Sequence, residues 1–378
     1  MKKRIIAMLL ALVMGLSVVG CGDTNQQKPP VDNNSSSGDV SSQTPPPVTD
    51  PEPTPEPEVN KETVDYYMAK ANEVIVTDTQ VIFTDDSGRG EIAIDKGLEN
   101  ISVLYASLAC LWYEAGGESI HLIGGKSQQE LYTEQIGRDI TKDEGTKVVS
   151  DSVSAKKWDV ETILADQPDL IIVSMSLSGY SVMGEAALNV GIPVIAIQYD
   201  TVQDYLKWFK VFCNLSGHPE LWDEVANATA EKVIEIVSKV PSDAKAPRVL
   251  TLRINNDVLE AYGNGSQIGS LVKELGGINV IETDPENGNT DSVAISMEDV
   301  FALDPDIILL PERGEAGAER AKFDQVYGEN PVWLNLRAYK DGNVYNLERG
   351  LFHQKPNHRF NEAYLYLAQI LYPNCNFE

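Results

Sequence analysis

Basic residues are scarce in this sequence of 378 residues. Lys and Arg together number 30, against 57 Asp and Glu, so that the formal net charge is −27. A surface this acidic argues against nucleic acid and anionic lipid as partners, because both carry negative charge. The same charge favours solubility and docking onto a basic partner surface.

Cysteine is also rare, and no disulfide framework is predicted. If Cys21 is modified, as argued below, Cys110, Cys213 and Cys375 remain, which is an odd number. Cys110 and Cys213 lie in apolar stretches, and we expect them to be buried free thiols.

Long apolar runs are limited to the beginning of the sequence. Residues 5–16 are apolar and follow three basic residues, but the run is too short to span a membrane comfortably. It leads into Leu-Ser-Val-Val-Gly-Cys, which is similar to a bacterial lipobox, so that residues 1–21 are predicted to be a signal peptide and Cys21 the lipidated residue. An ordinary secretory signal with a chance cysteine is the alternative, and the small residues before Cys21 favour the lipobox.

The rest of the sequence divides into a tether and a body. Residues 22–60 are rich in Pro, Ser, Thr, Asp and Glu and cannot bury enough apolar surface to fold. About 320 residues remain, enough for two domains. We predict an N-terminal lobe at 61–217, an interlobe helix at 218–240, a C-terminal lobe at 241–355, and a C-terminal helix and tail at 356–378 that packs back toward the N-terminal lobe.

Helices and strands alternate through both halves of this body. A β-hairpin around the turn at 85–89 precedes them. Continuous apolar runs such as 170–173, 194–197 and 307–310 indicate parallel strands covered on both faces. Predicted helices include 107–115, 159–166, 266–275 and 297–303. Glycine pairs at 116–117 and 276–277 supply helix ends.

One segment of the first half occurs again in the second. Glu161 stands seven residues before the Pro-Asp pair at 168–169, and Glu298 stands seven residues before the pair at 305–306. Both pairs lead into an aliphatic strand. A helix followed by a stop and a strand explains the Pro-Asp pairs, but not the glutamate at the same place.

Together these segments resemble the binding proteins of ABC importers for iron siderophores, heme and cobalamin. The similarity covers roughly residues 75–373 and includes the hairpin at 83–89, Gly-Ile-Pro-Val at 191–194, and the segments 275–279 and 340–345. The resemblance implies an α/β fold of two Rossmann-like lobes with mainly parallel sheets. A single long helix would join the lobes, with the ligand cleft between them.

The resemblance also implies a docking partner. In that family a glutamate on each lobe pairs with arginines on the permease subunits, and Glu161 and Glu298 match those positions. Two carboxylates on separate lobes would fix orientation on a basic surface. The alternative is that both are exposed glutamates favoured by the positive end of a helix dipole.

Ligand-binding residues are expected in the loops that follow the strands, because ligands of open α/β sheets bind beyond the carboxyl ends of the strands. Tyrosine offers flat contact area with a polar tip, and arginine and lysine would neutralise an anionic chelate. Tyrosine at a strand end can also serve as rim packing. The candidates are Tyr105, Ser107, Lys126, Ser174, Tyr180, Tyr199, Tyr262, Arg313, Arg349 and His353.

The histidines His121, His218, His353 and His358 are too scattered to form the ligand cluster that a carrier of bare zinc or manganese requires. We therefore expect no intrinsic cofactor and an intact iron or cobalt chelate as ligand. His353 would either touch the chelated metal or be a loop histidine before a helix.

The sequence thus predicts an extracytoplasmic lipoprotein, monomeric and held to the cell membrane by lipid, that captures a ferric siderophore, heme or cobalamin for an ABC importer. It shows no nucleophile elbow or triad, and no enzymatic activity is expected. Two alternatives stay open: a surface scavenger or storage lipoprotein without its own importer, and an extracytoplasmic enzyme that acts on a metal chelate.

Overall fold

The computed structural model describes residues 61–124, 129–150, 158–177, 179–282 and 292–377, which belong to one compact unit. Cys21, the signal peptide, the tether and Lys126 lie outside the described residues. We use "lobe" for each of the two larger sheets together with its helices.

The body begins with a helix and a small antiparallel sheet. The helix is α1 (Val64–Asn72), and the sheet has the order β1 (Ile75–Val76), β2 (Gln80–Thr84) and β3 (Glu91–Asp95). The predicted hairpin is therefore confirmed. Its turn is fastened to the first lobe through the buried carboxylate of Asp85, which accepts the backbone N–H of Ala196 at 3.0 Å and pairs with Arg89.

The first lobe is a parallel five-stranded sheet with the order β6-β5-β4-β7-β8. Its strands are β4 (Ile101–Val103), β5 (Leu122–Gly124), β6 (Lys147–Ser150), β7 (Leu170–Ser174) and β8 (Val194–Ile197). Its helices are α2 (Ala106–Glu114), α3 (Gln129–Ile136), α4 (Val160–Ala165) and α5 (Tyr180–Asn189). All residues of β7 and β8 are buried, as continuous apolar runs predict for strands covered on both faces.

Two helices follow the first sheet. The first, α6 (Val202–Ser216), begins with a capping box between Thr201 and Asp204 and ends at Gly217, which has a φ of 87°. The second, α7 (Pro219–Ser238), has Pro219 in its first turn and matches the helix predicted at 218–240. It packs against α1, α6 and the last helix of the chain, while much of its remaining surface is exposed.

The second lobe has a six-stranded mixed sheet with the order β12-β10-β9-β13-β14 and with β11 beside β9. Its strands are β9 (Arg248–Asn255), β10 (Val258–Tyr262), β11 (Ile278–Asn279), β12 (Ser292–Ala294), β13 (Ile307–Pro311) and β14 (Val344–Leu347). Its helices are α8 (Gln267–Glu274), α9 (Met297–Leu303), α10 (Ala318–Tyr327), α11 (Pro331–Asn335) and α12 (Arg337–Lys340).

The strand β10 runs antiparallel to its neighbours β9 and β12, and a tight turn in the chain explains its reversal after β9. Asn256 and Asp257 both have positive φ, 46° and 65°, and so form the tight turn that folds β9 back into β10. The strands β9, β11, β13 and β14 are parallel, as expected. The turn that reverses the chain after β9 was not predicted from the sequence.

The repeated Pro-Asp pairs make the same contacts in both lobes. Asp169 donates its N–H to the carbonyl of Asn100 at 2.8 Å, and Asn100 donates its own N–H to Asp169 Oδ2 at 2.9 Å. Asp306 and Arg248 repeat both bonds, also at 2.8 and 2.9 Å. Each aspartate therefore caps the beginning of the first strand of its lobe.

The C-terminal segment connects the lobes. It comprises α13 (Arg349–Phe352), a 3-10 turn (Asn357–Arg359) and α14 (Phe360–Leu371). The ring of Phe360 lies 5.9 Å from that of Tyr199 and 5.8 Å from that of Tyr205, both in the first lobe, while α14 also packs on α7 and α8.

One hydrophobic cluster runs through both lobes. It contains Val103 of the first sheet, Phe209 and Val233 of the connecting helices, and Val249 and Leu309 of the second sheet. Because a close-packed core resists continuous deformation, large hinge motion between the lobes is not expected.

Candidate functional site

The first lobe has a topological switch point between β4 and β7. The connections from these two neighbouring strands lead in opposite directions across the sheet, which leaves a crevice outside their carboxyl ends. Tyr105 follows β4, and Ser174 ends β7. Both line the cavity described next, so the fold itself determines its position.

A cavity of about 370 Å³ lies between the loops of the two lobes, and we call it the interlobe cleft. Its volume is within the range of small-molecule sites. Both lobes contribute predicted ligand-binding residues to its lining: Tyr105, Ser174, Tyr199, Tyr262, Arg313 and His353.

The lining includes three neighbours of the candidates within the strand-end loops 174–180 and 349–353, which are Ser176, Leu177 and Phe352. It also includes residues that were not predicted: Gln198, Asp200, Arg253, Ser266, Gln267, Ile268 and Lys355. A signal for Arg253 was present in the sequence. A two-residue turn at Asn256 and Asp257 fixes a register in which Arg253 stands opposite Glu260.

Three further candidates stand elsewhere. Ser107 is buried, and its Oγ accepts the backbone N–H of Lys355 at 3.3 Å. Arg349 pairs through Nη1 with Glu130 Oε2 of the first lobe at 2.6 Å. Tyr180 packs beside Gly184 in the first turn of α5. None of the three lines the interlobe cleft.

The second-lobe wall of the cleft is fixed by Arg253. Its Nη1 donates to Tyr262 Oη at 2.9 Å, and the guanidinium lies 5.0 Å from the centre of the Tyr262 ring. Its charge is paired with Glu260 at 2.5 Å, and Glu260 also accepts from Asn255 Nδ2 at 3.1 Å. Tyr262 is thereby held in one orientation against the cleft.

The first-lobe side is fixed by Lys355 and Asn357. Lys355 Nζ binds Asp200 Oδ1 at 2.7 Å. Tyr199 is buried and donates its hydroxyl to Asn357 Oδ1 at 2.8 Å. Asn357 is fully buried and has a φ of 52°, a conformation that asparagine tolerates better than most residues. These bonds hold the segment after α13 against the first lobe.

His353 brings a neutral imidazole to the cleft. The residue is exposed at the cleft, but its ring lies close to the protein, and desolvation, together with repulsion from Arg313, Arg349, Arg253 and Lys355, lowers its pKa from 6.5 to about 4. An unprotonated imidazole is the form that ligates metals.

The two glutamates of the repeated segment occupy equivalent positions. Glu161 lies in the first turn of α4 and Glu298 in the first turn of α9, and both are exposed. The N-caps are Asp159 and Ser296, whose side chains each accept a backbone N–H of the first turn. Neither glutamate is therefore the N-cap of its helix.

Two further observations concern the described residues alone. Among them, no group of three or more His, Cys, Asp or Glu side chains is arranged to hold a metal ion. No helix in these ranges is long and apolar enough to cross a membrane.

Comparison with known proteins identifies the family. A profile described as "Periplasmic binding protein" matches residues 130–349, which is more than half of the chain. The chain belongs to this family. The resemblance found in the sequence is thereby confirmed, and so is the predicted α/β fold of two lobes around a cleft. Periplasmic binding proteins are binding proteins rather than enzymes.

Individual relatives agree with this assignment. The "High-affinity heme uptake system protein IsdE" of Staphylococcus aureus is 30% identical over 139 residues, which cover 36% of this chain and 46% of that protein. The aligned segment thus spans about half the length of the curated relative.

Two solved structures share the fold. IsdE complexed with heme, from S. aureus, has a TM-score of 0.58 at 19% identity and covers 73% of this chain and 100% of that one. The vitamin B12 binding protein BtuF of Vibrio cholerae has 0.58 at 16% identity and covers 72% and 96%.

Proposed function

We propose that this protein captures a metal chelate outside the cytoplasm and delivers it to an ABC importer. The observation that carries the proposal is the interlobe cleft, where both lobes place aromatic, cationic and hydroxyl side chains at the switch point of a periplasmic binding protein fold. Relatives named for heme uptake and vitamin B12 binding support a large metal chelate as the ligand class.

The cleft residues suit such a ligand. Tyr105, Tyr262 and Phe352 offer flat apolar contact, and Arg313 offers a cation. The neutral imidazole of His353 is a candidate metal ligand where a chelate leaves a coordination position open. The protein itself would carry no intrinsic cofactor, because the metal arrives and leaves with the chelate.

A binding panel tests the proposal. The purified protein is titrated with ferric protoporphyrin, cobalamin and ferric siderophore chelates, and binding is followed by absorbance and equilibrium dialysis. We expect one chelate per protein, and an affinity about tenfold weaker in Tyr105→Ala and, where the chelate is anionic, in Arg313→Ala. Arg320→Ala, on α10 outside the cleft, is the control and should bind normally. The proposal is wrong if every chelate class fails to bind.

Two further measurements separate this function from the alternatives. A scavenger without an importer would bind chelate, but it would give no uptake in cells that also carry the permease and the ATPase encoded next to its gene. An enzyme would change the chelate, whereas we expect mass spectrometry to recover it unaltered after prolonged incubation.

Lipid anchoring is part of the proposal and rests on the lipobox-like sequence that ends at Cys21. A diacylated cysteine would hold the protein durably at the membrane, which a single acyl chain does not. Cys21→Ser should release the protein into the medium, or into the periplasm where an outer membrane exists. Membrane retention of that variant would contradict the anchor.

A further inference from the structure

The cations of the interlobe cleft differ in whether they have an anionic partner. Among the described residues that line the cleft, Arg253, Lys355 and Arg313 carry positive charge and Asp200 carries negative charge. Whether these charges are already neutralised decides how much negative charge a ligand can bring, because an unpaired charge in a partly desolvated site is costly.

Arg253 is neutralised by Glu260. The two side chains are 2.5 Å apart, and only 21% and 18% of their respective surfaces are exposed. Desolvation raises the pKa of Glu260, but hydrogen bonds from Asn255 and Arg253 outweigh it and leave that pKa below its usual value. The carboxylate therefore remains charged and continues to cancel the charge of Arg253.

Lys355 is neutralised in the same way, but from the other lobe. Its Nζ lies 2.7 Å from Asp200 Oδ1, and the two side chains are 16% and 14% exposed. Both partners line the cleft. A pair so well sheltered keeps its geometry far better than an exposed surface ion pair would.

Arg313 has no such partner. Its side chain is exposed and makes no hydrogen bond or ion pair with a described residue. Neighbouring Glu312 is buried, and its carboxylate accepts the backbone N–H groups of Gly317 and Glu319 at 2.8 and 3.0 Å. Since His353 is neutral, the described lining taken together with Glu260, the partner of Arg253, carries one net positive charge. Glu312 beside Arg313 reduces the potential further.

We propose that Glu260 and Asp200 are specificity-determining residues that restrict the interlobe cleft to chelates with at most one net negative charge, and that Arg313 binds an exposed carboxylate or oxyanion of such a chelate. This inference rests on the proposed function. A trianionic chelate would bring at least two charges that no cation in the described lining compensates. The acidic surface of the whole protein, with a formal charge of −27, adds repulsion during its approach.

Three ferric chelates of different charge test the inference: an uncharged tris-hydroxamate, monoanionic ferric protoporphyrin, and a trianionic tris-catecholate. Affinities are measured by equilibrium dialysis with metal analysis at two salt concentrations. We expect the trianionic chelate to bind on the order of tenfold or more weakly than the better of the other two, a difference of about 1.4 kcal/mol.

For each variant the inference predicts whether chelate affinity rises or falls. Glu260→Gln removes the negative charge beside Arg253, and Asp200→Asn removes the one beside Lys355. Each should strengthen binding of the trianionic chelate several-fold and leave the uncharged one within about twofold. The two positions belong to different lobes, so misfolding of one variant leaves the other informative. Arg313→Gln should weaken both anionic chelates and leave the uncharged one within about twofold, and Arg320→Gln, outside the cleft, should change none.

The possible outcomes separate the inference from the proposed function. Tightest binding of the trianionic chelate by the unaltered protein overturns the charge restriction and leaves the chelate-binding function intact. Unchanged affinities in both Glu260→Gln and Asp200→Asn also overturn it. Failure of all three chelates, and of cobalamin, overturns the proposed function and the inference with it.

Discussion

Gln167 and Asp304 end the corresponding helices α4 and α9 in the same left-handed backbone conformation, with φ of 48° and 40°. Each precedes a Pro-Asp pair that caps the first strand of its lobe. These bonds explain why the helix ends are repeated. The glutamates are different, because the carboxylates of Glu161 and Glu298 make no hydrogen bond or ion pair with a described residue. Both lie in a first helical turn, where the helix dipole favours a carboxylate. Since no described residue pairs with either carboxylate, both are available to an external partner.

Removing both glutamates should therefore affect delivery and not capture. In Glu161→Ala/Glu298→Ala we expect uptake at limiting chelate to fall about tenfold, because charges at an interface rim steer and orient association. The chelate affinity of the purified protein should stay within about twofold. Uptake of labelled chelate is measured in cells that carry the permease and the ATPase.

The matched control is Glu224→Ala/Glu231→Ala, which removes the same charge from exposed positions on α7. It should transport normally. Equal loss in both double variants would mean that total charge matters rather than the two lobe positions, and normal uptake by the first double variant would remove the docking role.

A second prediction concerns Gly269 in α8. A Cβ at this position would lie 2.2 Å from the carbonyl oxygen of Gly263 and 2.9 Å from Asn279 Nδ2, so the loop before the helix would have to move. We expect Gly269→Ala to lower the free energy of unfolding by about 1–3 kcal/mol. Chelate binding should weaken as well, because Gln267 and Ile268 line the cleft.

Urea unfolding followed by circular dichroism measures the stability change. Gly314→Ala is the control, because a Cβ there meets nothing within 4 Å and its φ is not left-handed. It should stay within about 0.5 kcal/mol of the unaltered protein. A stable Gly269→Ala would show that this loop has room to shift.

Two histidines five positions apart should titrate in opposite directions. Desolvation and four neighbouring cations lower the pKa of His353 to about 4, whereas the hydrogen bond to Glu114 raises that of His358 above 6.5. Two-dimensional NMR of the imidazole groups, assigned with His353→Gln and His358→Gln, measures both. A midpoint for His353 near 6.5 would contradict the cationic surroundings described for the cleft.

The opposite pKa shifts of the two histidines should give opposite dependences of the free energy of unfolding on pH. Between about pH 4 and 6.5 the unfolded state binds a proton at His353 that the folded state does not, so this histidine destabilises the fold as the pH falls through that range. His358 stabilises the fold fully below 6.5, and its contribution is lost as the pH rises through its folded-state pKa. In urea unfolding, His353→Gln should lose less stability between pH 7 and 5 than the unaltered protein.

The cysteines give a fourth prediction. Cys110 and Cys213 are buried free thiols, as the sequence indicated, and burial raises the pKa of both. Cys375 is partly exposed. In protein that begins at residue 22, a disulfide reagent should modify one thiol rapidly and the other two only after unfolding. Cys375→Ser should abolish the rapid phase; a rapid phase that survives would place a reactive thiol elsewhere.

Many strands and helices were predicted correctly because apolar periodicity and turn residues within the segment itself indicate them. The apolar run at 194–197 and the helix predicted at 297–303 are found as β8 and α9 with the same bounds. The bounds of the helix α6 were not predicted, and only the apolar stretch around Cys213 was noted. A signal was present, because its polar residues Gln203, Lys207, Lys210 and Asn214 recur at helical spacing.

The sequence by itself determined the compartment signal, the α/β class, the repeated segment and the strand ends where a ligand would bind, because each depends on neighbours in the chain. The tertiary structure decided which of those strand ends meet. Tyr105, Tyr262 and His353 share one cleft while Ser107, Tyr180 and Arg349 stand outside it. It also decided which cations are already neutralised, since the pairing of Lys355 with Asp200 joins side chains 155 positions apart. Contacts of that kind depend on how the lobes pack, and no local pattern carries them.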